Sequence, residues 1–463
     1  MSTRSSSFDG NHRGRLSRLR GRSAGHPGCG ALNRFWLPAF FILLACLMPA
    51  AATTRAQRGR ASQRWVATWS ASMQGPVNFM GRTMPEERFD NQTIRMIVRT
   101  SIGGDRVRVR LSNEFGSAPL TIGAAHLALR GQGGSIQPST DRTLAFSGRP
   151  SIVIPPGADV LSDPVDLPVP PLTDLAISVY VPEKTGPPTW HWTGLHPVYV
   201  AGPGNVTSKE SLPVADKLQS WYWLTSVIVA APYRTHALVA FGDSITDGAR
   251  STVDADHSWP SDLARRLLAP GAGGPQLAVL DAGISGNRIL HDLVGPNALA
   301  RFGRDVLAQP GVRDVIVLEG INDIGFSNAP GQSDQAVSAE DLIAGLRQIV
   351  ERAHVAGLRV FGGTLTPFEG ATYYSQAAEA KRQAVNAWIR TGGAFDGVID
   401  FEAAVRDPAH PGTFLAAYDS GDHLHPNDAG YAAMADAVRL ALLSGRGRRP
   451  RRMPSGEKAT APK

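Results

Sequence analysis

Cysteine is scarce in this chain of 463 residues, which contains only Cys29 and Cys46. Both lie near the N-terminus, so a mature protein cut after Ala52 would contain none. Disulfide bonds, a cysteine-based zinc site and a thiol nucleophile are then excluded from the remainder. A domain without cysteine is stabilised by the size of its hydrophobic core, and 463 residues are enough for two ordinary domains.

The central part of the chain lacks an excess of positive charge, although the formal net charge is +7. Residues 1–60 hold ten Arg and one Asp, and residues 446–463 hold seven Lys or Arg and one Glu. The span between them holds 30 basic and 38 acidic residues. A nucleic-acid partner is therefore not expected, because binding a phosphate backbone needs a basic face on the folded domain.

The N-terminal segment, residues 1–57, is predicted to be a leader. A basic stretch from Arg4 to Arg34 precedes an apolar run from Phe35 to Ala52 that ends in small residues, as in a secretory signal. Two prolines interrupt this run, which has only about the minimum length for crossing a bilayer, so cleavage is favoured over a retained signal anchor. Lipidation at Cys46 is a further alternative. The sequence predicts a secreted, periplasmic or cell-envelope protein without a stable membrane span after signal removal.

Residues 62–233 are rich in Pro, Gly, Thr and Val and show short alternating runs without a helical period. This pattern favours a β-sandwich. The clearest strand is Val107–Leu111, whose apolar residues fall on one face and whose arginines fall on the other, and Thr93–Thr100 is similar.

From His236 to residue 444 the pattern changes to short apolar strands that alternate with helices, which predicts an open parallel sheet covered on both faces. The predicted strands are Ala237–Phe241, Leu277–Asp281, Val312–Leu318, Leu358–Gly363 and Gly397–Phe401. A capping box at Ser338 and Asp341 begins a predicted helix over Ser338–Ala356, and Asn427–Leu443 is predicted as the final helix. Residues 445–463 are predicted to be a basic disordered tail.

A serine stands directly after the first of these strands, in the segment Gly242–Gly248. The carboxyl end of a parallel strand borders the crevice in which open α/β sheets bind ligands, so Ser244 is well placed to act as a nucleophile. The alternative is that Asp243 and Ser244 only cap the helix that follows.

A serine hydroxyl needs a histidine base and a carboxylate that orients it. Asp422 stands three residues before His425 near the C-terminus, so one loop could deliver both groups. An ordinary polar loop is one alternative. A metal site at Asp419, Asp422, His423 and His425 is another, since clustered Asp and His bind divalent ions.

Acyl transfer also needs hydrogen-bond donors for the negative oxygen of the tetrahedral intermediate. Two loops after strands offer them, Gly283–Arg288 and Gly320–Gly325. In the first, the N–H of Gly286 could point into the site, and in the second, Asn322 could offer its side-chain amide. Either loop alone is weak evidence, because glycine loops follow most parallel strands for steric reasons.

Together, the segments FGDSIT, GISGNR, GINDIG and GDHLHP resemble the four blocks of the SGNH/GDSL hydrolases, in the order of that family. The resemblance covers His236 to Leu443 and implies a flavodoxin-like three-layer α/β/α domain, here preceded by a jelly-roll-like β-sandwich. It implies Ser244 as nucleophile, His425 as general base and then acid, and Asp422 as its orienting group. It also implies an oxyanion hole formed by Ser244 N–H, Gly286 N–H and the Asn322 amide, and neither a metal nor an organic cofactor.

The stretches VIVLEGINDIG, TLTPFEG and YDSGDHLHPNDAGY are similar to the arylesterase and acetylxylan-esterase branch of that family, which has an N-terminal β domain. This likeness implies small-molecule or carbohydrate esters of short acyl groups, such as acetyl, on a sugar or on an aryl or alkyl alcohol. The clusters Trp190–Trp192 and Trp221–Trp223 are interpreted either as a sugar-stacking platform or as sandwich core. Two alternative functions remain. One is that of an exported carbohydrate-binding protein with an inert hydrolase-like domain, and the other is metal-assisted hydrolysis.

Overall fold

The computed structural model describes residues 63–79, 82–271, 276–326 and 335–445, and all of these belong to one compact unit. The predicted leader, with Cys29 and Cys46, and the predicted tail after Gly445 lie outside the described residues. Within the described part of the chain, no helix is both long enough and apolar enough to cross a bilayer.

The N-terminal part of the unit, residues 63–233, is called the β region. Its strands among the described residues are β1 Gln63–Ser70, β2 Val77–Phe79, β3 Arg82–Met84, β4 Gln92–Arg99, β5 Gly104–Ser112, β6 Leu120–Ile122, β7 Ala124–Leu129, β8 Arg142–Thr143, β9 Ile152–Ile154, β10 Asp159–Leu161, β11 Val165–Val169, β12 Asp174–Val181, β13 Trp190–His191, β14 Val198–Pro203, β15 Val214–Leu218, β16 Trp221–Tyr222 and β17 Leu224–Pro232. The larger of two main antiparallel sheets has the order β15-β14-β4-β12-β7-β8, and the smaller has the order β1-β17-β5-β10, with β11 also paired to β5. Three further pairs of short strands are β2-β3, β6-β9 and β13-β16. A short 3₁₀ helix spans Pro138–Thr140.

Strands β5 and β4 illustrate how far alternation predicts burial. In β5 the apolar residues Val107, Val109 and Leu111 are fully buried, as the alternating pattern predicts. Strand β4 differs, because it is buried on both faces and even Arg95 is inaccessible to solvent. The guanidinium of Arg95 donates to the Ser178 hydroxyl and to backbone carbonyl groups of covering loops, so its buried charge is fully hydrogen-bonded. An all-β region is confirmed, and its jelly-roll-like strand order stays a prediction.

The C-terminal part, residues 236–445, is called the α/β region. Its strands are β18 His236–Gly242, β19 Leu277–Gly283, β20 Val312–Leu318, β21 Arg359–Gly363 and β22 Gly397–Ile399. Its described helices are α1 Ser244–Asp247, α2 Trp259–Leu268, α3 Ala298–Phe302, α4 Ile321–Phe326, α5 Ala339–Val355, α6 Gln376–Thr391, α7 Phe401–Val405, α8 Asp428–Ala437 and α9 Leu440–Leu443, with a π-helical turn at Gly303–Leu307.

The α/β region contains the predicted parallel sheet, with the order β19-β18-β20-β21-β22. Numbered along the chain, this order is 2-1-3-4-5, the arrangement of flavodoxin-like sheets. The chain steps from β18 to β19 in one direction and then returns past β18 to β20. Because such crossovers are right-handed, the helix between β18 and β19 and the helices of the later crossovers cover opposite faces, and α6 packs beside α5. Helix α8 follows the last strand and packs beside α2.

The ends of several predicted elements need adjustment. The capping box of α5 is confirmed, because the Ser338 hydroxyl accepts from Asp341 N–H while the Asp341 carboxylate accepts from Ser338 N–H. The single final helix predicted over Asn427–Leu443 is wrong: α8 ends at Ala437, Val438 is extended, and α9 begins at Leu440. Strand β22 is shorter than predicted, since the side chain of Asp400 caps α7.

The β region packs directly against the α/β region. Strand β1 lies beside β19, the amide of Ala67 donates to Pro310 O at 2.9 Å, and the hydroxyl of Ser101 accepts from Val279 N–H at 3.1 Å. Buried side chains of both regions form a continuous hydrophobic core. The β region is therefore in position to contribute side chains to a site at the carboxyl end of the parallel sheet.

Candidate active site

Ser244 lies at the first position of α1, directly after β18 and at the reversal point of the sheet. Asp243 caps this helix, since its carboxylate accepts from Ile245 N–H at 2.9 Å. The hydroxyl of Ser244 instead lies 2.8 Å from Nε2 of His425. The capping interpretation thus holds for Asp243, while the serine side chain is directed to the histidine.

His425 and Asp422 lie on one loop, as their spacing predicts. Nδ1 of His425 is 2.8 Å from Oδ2 of Asp422. The other oxygen of Asp422 accepts from the backbone N–H of His425 at 2.8 Å and of Leu424 at 3.0 Å, and from the Ser420 hydroxyl at 3.1 Å. The loop therefore fixes the carboxylate, and the carboxylate fixes the imidazole.

The electrostatics of Asp422 favour its charged form. Burial by itself would raise the pKa of Asp422, but hydrogen bonds from the His425 ring and from backbone amides outweigh burial and hold that pKa well below the ordinary carboxyl value. Arg250 also contacts Oδ2, with its Nε at 3.1 Å. Asp422 is thus a carboxylate at neutral pH and can stabilise a positive charge on His425.

The neighbouring histidine, His423, does not join this arrangement. Its Nδ1 lies 2.6 Å from Oδ2 of Asp419. Its ring packs closely on Gly370, where an added Cβ would come within 2.9 Å of the ring. Asp419 also accepts from the backbone N–H of Gly421 and of His423, so this pair shapes the loop. Within the described residues, no group of three or more His, Cys, Asp or Glu side chains is arranged to hold a metal ion.

The residues predicted for the oxyanion hole lie in the same place as Ser244 and His425. Gly286 has a φ of +81°, which favours glycine, and a Cβ on it would crowd Val294 by approaching its Cγ2 to 3.0 Å. The side-chain amide of Asn322 donates to Asn287 O at 3.0 Å, and its oxygen accepts from the Tyr373 hydroxyl at 3.3 Å. These contacts hold Asn322 in one orientation.

These groups border a cleft of about 270 Å³. Its lining comprises Trp192, Thr193, Ser244, Ala249, Ser285, Gly286, Val294, Asn322, Phe326, Tyr373, Leu424 and His425. Two of these residues, Trp192 and Thr193, come from the β region. Most side chains of the two aromatic clusters are buried, so the core interpretation holds for Trp190, Trp221, Tyr222 and Trp223. Of these aromatic side chains, only Trp192 borders the cleft.

Arg301 is a part of the site that the sequence did not reveal. Its fully buried guanidinium donates to Gly242 O at 2.8 Å, to Ala282 O at 2.8 Å and to the Asn287 side chain at 2.7 Å. It therefore joins the ends of β18 and β19 behind the serine. Burial raises the pKa of Glu319, which Arg301 also contacts, well above its ordinary value. An arginine within a short helix gives no sequence signal of such a role.

Known proteins provide an independent comparison. Residues 240–433 match the sequence model of the GDSL-like Lipase/Acylhydrolase family. A search of curated proteins finds no match.

Solved structures similar to this chain include three hydrolases. One is a GDSL-like lipase from Bacteroides thetaiotaomicron, 19% identical, with 44% of this chain and 87% of that chain covered and a TM-score of 0.33. Another is an α/β hydrolase enzyme from the metagenome of Lake Arreo, 22% identical over 45% of this chain and 94% of that chain, with a TM-score of 0.35. The third is a catalytic mutant of an acetylxylan esterase from Geobacillus stearothermophilus, 24% identical over 47% of this chain and 97% of that chain, also with a TM-score of 0.35.

The family match spans all four blocks of residues around the cleft. The chain carries an ester-hydrolase domain of the SGNH/GDSL family.

Proposed function

We propose that this protein is an exported serine esterase that hydrolyses esters of short acyl groups through an acyl-enzyme on Ser244. The observation that carries the proposal is the unbroken hydrogen-bonded series from the Ser244 hydroxyl through the His425 ring to the Asp422 carboxylate, at the edge of a cleft. This is the geometry that turns a weak nucleophile into a reactive one.

In the first step, Nε2 of His425 takes the proton of the Ser244 hydroxyl as Oγ attacks the ester carbonyl carbon. The carbonyl oxygen becomes negative in the tetrahedral intermediate. The backbone N–H groups of Ser244 and Gly286 and the side-chain amide of Asn322 donate hydrogen bonds to it. Donors that are fixed before reaction stabilise the negative oxygen with little reorganisation.

In the second step, the imidazolium of His425 gives its proton to the leaving alcohol oxygen and the carbon–oxygen bond of the ester breaks. A water molecule then attacks the acyl-enzyme while His425 accepts one of its protons. Collapse of the second tetrahedral intermediate releases the carboxylic acid and returns the proton to Ser244. Asp422 keeps the imidazole in the correct orientation and stabilises its positive charge throughout.

The size and walls of the cleft support a small ester as substrate. A volume of about 270 Å³ lies just below the range of roughly 300–1,000 Å³ found for pockets that hold drug-sized ligands. Val294, Phe326 and Leu424 supply apolar wall for a short acyl chain. Trp192, stacked on Trp190 at a ring-centroid distance of 5.8 Å, offers aromatic surface to the alcohol part, which suits a sugar ring or an aryl group.

Export is proposed from the sequence of residues 1–57, in which a basic stretch precedes an apolar run. N-terminal sequencing of the protein recovered from the medium and from the cell envelope tests it. A mature N-terminus after the apolar run is the expected result. An intact N-terminus in a cytosolic fraction would contradict export without affecting the enzymatic assignment.

The enzymatic proposal is tested with a chromogenic acetyl ester. Ser244→Ala and His425→Ala are each expected to lower turnover by about 10³-fold or more, because each removes a group that acts in every turnover. Ser139→Ala and His410→Ala alter exposed residues outside the cleft and serve as matched controls with unchanged rates. Turnover near the wild-type value in Ser244→Ala would rule the proposal out, and binding of an acetylated sugar without hydrolysis would support the carbohydrate-binding alternative.

A further inference from the structure

His191 is a buried histidine of the β region that reaches the α/β region. Its side chain is 3% exposed. Nδ1 lies 2.8 Å from Ser72 O, and Nε2 lies 3.0 Å from Oδ1 of Asp247 and 3.2 Å from Thr193 O. Carbonyl and carboxylate oxygens only accept hydrogen bonds, so both ring nitrogens must donate. The imidazole is therefore present as the cation, paired with the Asp247 carboxylate.

Asp247 connects this cation to the loop that carries Gly286. It is the last residue of α1, three positions after Ser244, and its side chain is 5% exposed. While Oδ1 faces His191, Oδ2 accepts from the backbone N–H of Ser285 at 2.9 Å and from its hydroxyl at 2.7 Å. Thr193 donates to the same hydroxyl at 2.8 Å. The β region thus reaches the residue immediately before Gly286 in two ways, directly from Thr193 and through Asp247 from His191.

We propose that His191 is a positioning residue, which holds the Gly286 amide in the oxyanion hole through Asp247 and Ser285, so that the β region is a required part of the active site. The proposal rests on the function proposed above. His191 touches neither the cleft nor the reacting atoms, and it acts through the loop.

The positive charge of His191 strengthens its hydrogen bond with the Asp247 carboxylate. Burial alone would lower the pKa of His191, but the Asp247 carboxylate and the Ser72 carbonyl outweigh burial and raise that pKa to about 9. Removing the cation leaves the Asp247 carboxylate buried without a counter-charge, which is strongly unfavourable. The carboxylate is then expected to rotate toward another partner, so that its hydrogen bond with the Ser285 amide weakens. A displacement of a catalytic donor by about 1 Å is enough to lower a rate about 10²-fold.

His196 provides a matched control in the same part of the molecule. Its side chain is 6% exposed, and its two nitrogens lie 2.9 Å from carboxylate oxygens of Asp254 and Asp256. It is thus a second buried imidazolium that ties the β region to the α/β region. Unlike His191, it contacts neither Asp247 nor Ser285, and it does not line the cleft.

The test compares His191→Gln with His196→Gln in the full-length protein. Active sites are counted with a fluorophosphonate, so that kcat refers to folded enzyme only. We expect the His191 variant to lose about 10²-fold in kcat per active site with KM within about threefold of the wild type. A small alkyl boronic acid, whose adduct on Ser244 needs the same oxyanion donors, is expected to bind more weakly by a similar factor. The His196 variant is expected to lose stability while keeping its kcat and its boronate affinity.

Equal kcat per active site in the two histidine variants would overturn the positioning role. Should His191→Gln fail to fold, Thr193→Val provides a second test, because it removes the hydroxyl that donates to Ser285. A several-fold fall in kcat is expected. A wild-type kcat in that variant would equally overturn the proposal. An active Ser244→Ala enzyme would instead refute the proposed function itself, so the two failures are distinguishable.

Discussion

The hydroxyl of Ser244 and Nε2 of His425 are separated by 181 positions in the sequence but lie 2.8 Å apart in the folded chain. Strand β18 delivers the serine, and the loop before α8 delivers the histidine. This contact places the serine and its base at the edge of the cleft, and it is the starting point for the first prediction.

Asp422→Asn should leave the fold intact but lower kcat by about 10³- to 10⁴-fold, because an amide can donate to Nδ1 and so favours the wrong imidazole tautomer. Steady-state kinetics on an acetyl ester measure the loss. Arg250→Gln is the matched control: its guanidinium contacts the same carboxylate but is 64% exposed, so a change of no more than a few-fold is expected. A kcat of Asp422→Asn close to that of Arg250→Gln would show that the carboxylate does not orient the base.

Gly286→Ala should reduce kcat by about 10²-fold or more, since a Cβ would press on Val294 and displace the amide donor. Gly357→Ala is a control of the same backbone type, because Gly357 also has a positive φ, +78°, but its Cβ would meet nothing within 4 Å. Both variants incur a backbone cost of about 1 kcal/mol, visible as a lower Tm. Only Gly286→Ala should lose activity per active site, and similar kcat values in both would exclude the amide from the oxyanion hole.

Folding stability should fall at alkaline pH. The pKa values of His191 and His196 are both raised to about 9, because their carboxylate partners outweigh the effect of burial. The folded state therefore keeps protons that an unfolded histidine, with a pKa of about 6.5, releases. The stabilisation is fully present below about pH 6.5 and is lost progressively as pH rises to about 9 and above.

The titratable and charged groups that face the two imidazolium rings lie on several elements. They are Asp247 and Asp281 around His191, and Asp174, Asp254 and Asp256 around His196. Arg99 lines a second cavity, separate from the cleft at Ser244, that both histidines border. Urea unfolding followed from pH 6 to pH 10 measures the effect, and His196→Gln is expected to flatten the profile. A free energy of unfolding independent of pH over this range would contradict paired imidazolium ions.

Arg301→Met should destabilise the protein by about 3–5 kcal/mol, because buried carboxylates and carbonyl groups lose their shared cation. Arg82→Met is a control in which the ion pair with Glu86 is exposed, and a loss below about 1 kcal/mol is expected. Chemical denaturation measures both changes. Equal midpoints would mean that the Arg301 network contributes no more than a surface ion pair.

Much of the α/β region could be predicted from the sequence because its signals are local. A run of apolar residues marks each parallel strand, and the capping box marks the start of α5. Local signals are weaker at element ends: nothing in the periodicity of residues 427–443 distinguishes one helix from the two that Val438 separates. Alternation in β4 likewise predicts one buried face, but loops that cover the other face bury Arg95 as well.

The sequence by itself determined the candidate nucleophile, base and orienting carboxylate, Ser244, His425 and Asp422, because each lies in a short block whose residue types and order are distinctive. Only the tertiary structure decided that Trp192 borders the cleft, that His191 reaches Asp247, and that Arg301 joins two strand ends behind the serine. These contacts join residues that lie far apart in the chain. Local sequence patterns report the period and burial of an element, whereas the partner of a buried charge is fixed by how separate elements pack.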